Sequence, residues 1–97
     1  MRSIEEQDLA ALRLRLPKYV VAIAQEDRTV LLDVKQSHYY SLDDVGGRIW
    51  TLIGDGLVIP QILERLETEY AVPSAVLRTD VCALLNDMCQ RALLEIA

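Results

Sequence analysis

The apolar residues of this chain change period once, near residue 43, and that change fixes what the chain can fold into. Before it, three short runs are rich in β-branched and aromatic residues: Tyr19 to Ala24, Thr29 to Asp33 and His38 to Leu42. Polar turns separate them, Gln25-Glu26-Asp27-Arg28 and Lys35-Gln36-Ser37. Runs of this kind read as strands, and connections this short favour an antiparallel meander. After residue 43 the spacing becomes helical. Asp43 or Asp44 is a natural N-cap, Val45, Ile49, Leu52 and Ile53 fall on one face with Trp50 beside it, and Gly54 is the expected stop. Pro60 suits the first turn of a second helix with the stripe Ile62, Leu63, Leu66 and Tyr70. Val72-Pro73-Ser74 interrupts the chain, and a third helix is expected from about Ser74 to Leu94. Strands followed by helices make an α+β fold. The expectation is a three-stranded antiparallel sheet followed by three helices, winged helix-turn-helix-like.

At 97 residues the chain supports one domain, and 52% apolar against 26% charged residues places it in the globular class. Residues 1–18 read as an N-terminal extension, partly mobile or extended, in which Leu12-Arg13-Leu14-Arg15-Leu16 alternates up to Pro17. Residues 19–95 read as the domain. The formal net charge of −5 disfavours both nucleic acid and an anionic membrane surface, which are held by Lys and Arg. No signal-peptide core or membrane-length apolar run occurs, so a cytoplasmic protein is expected. Cys82 and Cys89, seven residues apart on the third helix, would lie roughly 10 Å apart along its axis, too far for a disulfide. They read as small buried apolar groups in a reducing compartment.

The residues offer little chemistry. His38 stands alone on a strand with no nucleophile set against it. Gly46-Gly47 and Gly54-Asp55-Gly56 lack phosphate-loop spacing, and Glu64, Glu67 and Glu69 spread around a helix. No catalytic residue, metal site or cofactor is expected. A DNA-reading third helix would need basic and amide groups. From Ser74 onward this one sets Arg78 and Arg91 against Asp80, Asp87 and Glu95. The physical asset is the edge of the third strand. His38 to Leu42 carries no lysine, proline or other device that blunts an edge, and Tyr39 and Tyr40 put aromatic surface on both faces. An extended peptide can add there as a further strand. The competing reading is that Leu12, Leu14 and Leu16 cover that edge. The third helix has an apolar arc, Leu77, Val81, Leu84, Leu85, Met88, Cys89 and Ala92, that is wide for a helix with one neighbour. It either packs on several elements or keeps part of the arc for a ligand.

Over about residues 19–95 the chain resembles the PqqD-like family, the recognition elements of ribosomally made, modified peptides. The residues that carry the likeness are Leu31-Leu32-Asp33, Tyr40-Ser41-Leu42-Asp43, Gly46 and Gly47 with Arg48-Ile49-Trp50-Thr51-Leu52-Ile53, Gly56, Ile62-Leu63, Leu66, Tyr70-Ala71-Val72, Asp80-Val81 and Leu84-Leu85. The resemblance implies a non-enzymatic module that binds a precursor's leader peptide as an extra strand on the third strand, in a groove walled by the third helix. Tyr39, Tyr40, Ser41 and Leu42 would pair with the leader, and Leu77, Asp80, Val81, Leu84 and Met88 would form the wall. It further implies delivery to a partner cysteine protease or modifying enzyme, as in lasso-peptide clusters. The alternatives are a PqqD-type chaperone for a radical-SAM enzyme, a winged-helix DNA-binding regulator, or a fragment of a larger modifying enzyme. Many relatives have a glycine in the turn before the third strand. Here the turn is Val34-Lys35-Gln36-Ser37, which leaves the hairpin register open.

Overall fold

A computed structural model describes residues 12–96. The order is β1 (Leu14–Arg15), β2 (Val20–Ala24), β3 (Thr29–Asp33), β4 (His38–Leu42), α1 (Asp44–Gly54), α2 (Ile59–Glu69), α3 (Ser74–Gln90) and β5 (Glu95–Ile96). The three strands read from the sequence are β2, β3 and β4, which form an antiparallel sheet in that order. The fold is α+β, with the three helices following the sheet.

The hairpin register is set without a glycine. Asp33, almost fully buried, accepts from the N–H groups of Lys35 (2.9 Å) and Gln36 (3.1 Å) through Oδ1, and Ser37 takes the left-handed conformation, φ 58°. That pairs Asp33 with His38 and Leu31 with Tyr40. Pleating then sends Val20, Leu31, Tyr40 and Leu42 to the helix side and Val21, Ile23, Val30, Leu32, Tyr39 and Ser41 to the other. Leu31 and Leu42 enter the core with Ile49, Leu52, Ile59, Ile62, Leu66, Val81, Leu85 and Met88.

Asp43 caps α1, its Oδ1 accepting from the Gly46 N–H at 2.8 Å. Gly47 lets this helix lie close on the sheet, since a Cβ there would fall 2.6 Å from the Thr29 hydroxyl. Gly54 is the last helical residue of α1 and not its stop. The left-handed position belongs to Gly56 (φ 90°), and the Gly56 and Leu57 N–H groups return to the carbonyls of Ile53 and Leu52. That is a Schellman turn.

Two further readings are corrected. The third helix does not reach Leu94. It ends at Gln90 in the same Schellman turn, with Ala92 left-handed at φ 59° and the Ala92 and Leu93 N–H groups bonded to the carbonyls of Cys89 and Met88. An alanine in that role gave no warning in the sequence. Beyond it Leu93 and Leu94 are buried, and β5 pairs antiparallel with β1. Nor do Leu12, Leu14 and Leu16 cover the sheet edge. Leu12 is buried, Leu14 and Leu16 pack on the core, and Arg15 pairs with Glu95. Residues 12–18 are thus built into the domain. The remainder of the expected extension, residues 1–11, lies outside the described residues. Among the described residues no helix is long and apolar enough to cross a membrane.

Candidate functional site

Within the described residues β4 ends the sheet, so half of its backbone groups have no strand partner. The alternation of an antiparallel ladder says which half. Gln25 bonds to Arg28 and Val34 to Tyr19, so the hydrogen-bonded pairs of β2 and β3 are those of Tyr19, Val21, Ile23 and Gln25. On β3, Thr29, Leu31 and Asp33 must then bond to β4, through Leu42, Tyr40 and His38. The N–H and C=O of Tyr39 and Ser41 point outward along the free edge.

A groove of about 490 Å³ runs beside this edge. Tyr40, Ser41 and Leu42 of β4 form one side, and Leu77, Asp80, Val81 and Leu84 of α3 form the other. Val45 and Ile49 of α1 lie at its base, and Tyr70 and Val72, from the link between α2 and α3, close one end. Tyr70 is tied down through its hydroxyl, which donates to Asp44 (3.1 Å), while the neighbouring Glu69 holds Arg48 in a two-pronged pair at 2.8 Å.

At the other end the Tyr40 hydroxyl donates to Asp87 Oδ2 at 2.5 Å. The Arg91 guanidinium lies 5.0 Å from the Tyr40 ring centroid and pairs with Asp87 at 3.2 Å. The phenol and Arg91 hold the Asp87 carboxyl below the usual aspartate range. Burial, with the Asp87 carboxylate, pushes the Tyr40 phenol up. This bridge fixes the spacing of strand and helix and divides the groove. Beyond it lies a smaller recess of about 220 Å³ lined by His38, Gln36, Tyr39 and Gln90, among others, of mixed polarity where the first is mainly apolar.

Of the nine residues the resemblance nominates, seven line the groove. Tyr39 does not. Its side chain is 72% exposed on the far face of the sheet, and only its backbone serves the edge. Met88 is withdrawn from the wall, because it is 0% exposed and sits in the core. The reason is angular. Leu77, Val81, Leu85 and Met88 make the buried stripe of α3, and Asp80, Leu84, Asp87 and Arg91, at i, i+4, i+7 and i+11, make the adjoining row towards β4. Asp87 and Arg91 were readable from that spacing. Tyr70 and Val72, set by tertiary packing, were not. Among the described residues no group of three His, Cys, Asp or Glu could hold a metal ion.

The family model described as coenzyme PQQ synthesis protein D (PqqD) matches residues 28–94. Solved structures include "TbiB1 in Complex with the TbiA(beta) Leader Peptide", 31% identical, covering 84% of this chain and 94% of that one with a TM-score of 0.79. "Lasso peptide synthetase B1 complexed with the leader peptide" is 23% identical, covering 86% and 98%, also at 0.79, a likeness of fold. No curated protein matches. With more than half its length matched to that one model, and with the strands, helices and edge groove described above, this chain belongs to the PqqD family.

Proposed function

We propose that this chain binds the leader segment of a ribosomally made precursor peptide as a fourth strand on β4 and presents it to a partner leader peptidase or modifying enzyme. The observation that carries the reading is the coincidence of an unpaired edge with an apolar groove. The outward backbone of Tyr39 and Ser41 can supply strand-type hydrogen bonds, and the groove can take the side chains that such a strand turns inward. The likeness to a protein solved with a leader peptide, at 31% identity, supports it. The module contributes affinity and the partner the chemistry, because holding both raises the substrate's effective concentration at the enzyme. Asp80 and Asp87 on the groove-facing row of α3 set its charge against a DNA-reading role.

Residue-resolved amide exchange, with and without a synthetic leader peptide of a candidate precursor, tests the reading. Tyr39 and Ser41 should gain protection. Tyr40 and Leu42, already bonded to β3, should change little, and β2 should not respond. Protection that spreads evenly over the sheet, or that spares Tyr39 and Ser41, would refute strand addition.

A further inference from the structure

Among the described residues the sheet has a second free edge, and it is built differently. β2, Val20–Ala24, is five apolar residues without a charge, and its last four are all exposed, Val21 to 45% and Ile23 to 48%. The small inward-facing residues Ala22 and Ala24 are exposed as well, so this strand overhangs the core. Nothing within β2 blunts the edge: there is no lysine, proline or bulge.

The ladder that leaves Tyr39 and Ser41 free on β4 also fixes what β2 offers. Val21 and Ile23 bond inward to β3, so both the N–H and the C=O of Ala22 and Ala24 face outward, together with the C=O of Val20. The Val20 N–H turns back to Pro17 at 3.2 Å.

We propose that β2 pairs with β2 of a second copy of this chain, antiparallel and centred on Ala22, joining the two sheets into one of six strands. The sequence around Ala22 is complementary to itself in that register. Ala22 faces Ala22 and exchanges two hydrogen bonds across the two-fold axis. Ala24 N–H meets the free Val20 carbonyl of the other copy, twice. Val21 faces Ile23, a β-branched pair at a position where side chains approach most closely. Lys18 lies in the turn before β2 and Glu26 in the bend after it, so antiparallel pairing brings Lys18 of one copy to the same end as Glu26 of the other, again twice. Both are exposed, and among the described residues neither holds an ion pair. The interface is isologous, as a two-fold requires. A shift of register by one residue would place Val21 and Ile23 on the wrong face and lose the charge match. Two five-residue strands make a small contact, so the dimer is reversible and forms as concentration rises. The groove at β4 is on the opposite edge of each copy and stays open.

Sedimentation velocity over a concentration series, with no peptide present, tests this apart from the leader reading. The wild-type chain should pass from monomer to dimer. Ala22→Pro removes an N–H that faces away from β3, so it spares the internal ladder. It should weaken the dimer about tenfold or more, with an unchanged circular dichroism spectrum. Lys18→Glu, outside the strand and exposed, tests the register without touching the fold. It should weaken the dimer about fivefold, and the double exchange Lys18→Glu with Glu26→Lys should restore it. A wild-type chain that stays monomeric throughout overturns the proposal. So does a dimer indifferent to Ala22→Pro in a folded variant, or a double exchange as weak as the single one. A β2 edge protected from amide exchange only when the partner enzyme is added would assign the edge to that enzyme and equally overturn the pairing of copies.

Discussion

Leu84 is the residue on which the groove reading can be tested most sharply. It is half-buried in the free protein, on the row of α3 beside Val81 and facing β4. Full burial of a leucine is worth about 1.5–3 kcal/mol, so a leader covering the remaining half would gain about 1 kcal/mol there. Leu84→Glu forfeits that gain. It also forces a carboxylate, hydrated in the free protein, to lose water against an apolar strand, at roughly 1–3 kcal/mol. The sum exceeds the 1.4 kcal/mol that corresponds to a tenfold change, so binding should weaken by about tenfold or more. Asp80, exposed at the rim one turn earlier, should matter less, because an exposed charge contact is worth at most about 1 kcal/mol. Arg78 is exposed and outside the groove lining, so Arg78→Ala serves as the control. Titration of a labelled leader followed by fluorescence anisotropy, with circular dichroism to confirm the fold, ranks the three. If Arg78→Ala costs more than Leu84→Glu, the ligand lies against the other face of α3.

Two further predictions concern the frame of the groove. Ala92 carries a left-handed conformation that costs an L-residue roughly 1 kcal/mol, so Ala92→Gly should raise stability by about 0.5–1 kcal/mol in urea unfolding. Gly56→Ala, the reverse exchange in the equivalent turn of α1, should lower it by a similar amount, and effects of opposite sign would refute the assignment. The second concerns pH. The Tyr40 phenol and Arg91 depress the folded-state ionisation of Asp87, so its stabilisation is complete above the unfolded value near 3.9 and is lost as pH falls through the lower folded value. The wild-type chain should therefore lose more stability in that acid window than Asp87→Asn does, and parallel urea-midpoint curves for the two would remove Asp87 from the bridge.

Where sequence and structure agree, each stretch carried its own signal. β-Branched runs between polar turns made the strands, and Asp43 announced α1 three residues ahead of the N–H it caps. Where they part, the deciding contact lay elsewhere in the chain. Ala92 is left-handed because Leu93 and Leu94 reach the core and β5 reaches β1, and no residue near 92 encodes that. The wide apolar arc of α3 was legible, but its division was not. Met88 and Leu84 look alike on a helical wheel, and only the positions of the sheet and α1 make one a core residue and the other a groove wall. The leucines before Pro17 fit an edge strand of the sheet as well as they fit β1, until β5 is known to exist.

The two free edges differ in a way that bears on what each can accept. β4 runs beside α3, with Tyr40 bonded across to Asp87, so an incoming strand must insert its inward side chains between strand and helix. A single extended segment can do this, because it brings one row of side chains and no second layer. Another sheet carries its own packed layer on that side, and that layer would meet α3. β2 has no such wall: from Val21 to Ala24 it is exposed on both faces, so a sheet can continue through it in plane. The charges sort the edges in the same sense. Beside β4, α3 sets Asp80 and Asp87 against Arg91, a surface that discriminates among ligands by sign. The edge of β2 is neutral along its length and carries opposite charges at its ends, a pattern that matches its own inversion. Physical asymmetry between the edges thus suits the walled one to the peptide proposed for it and the open one to the proposed pairing of copies.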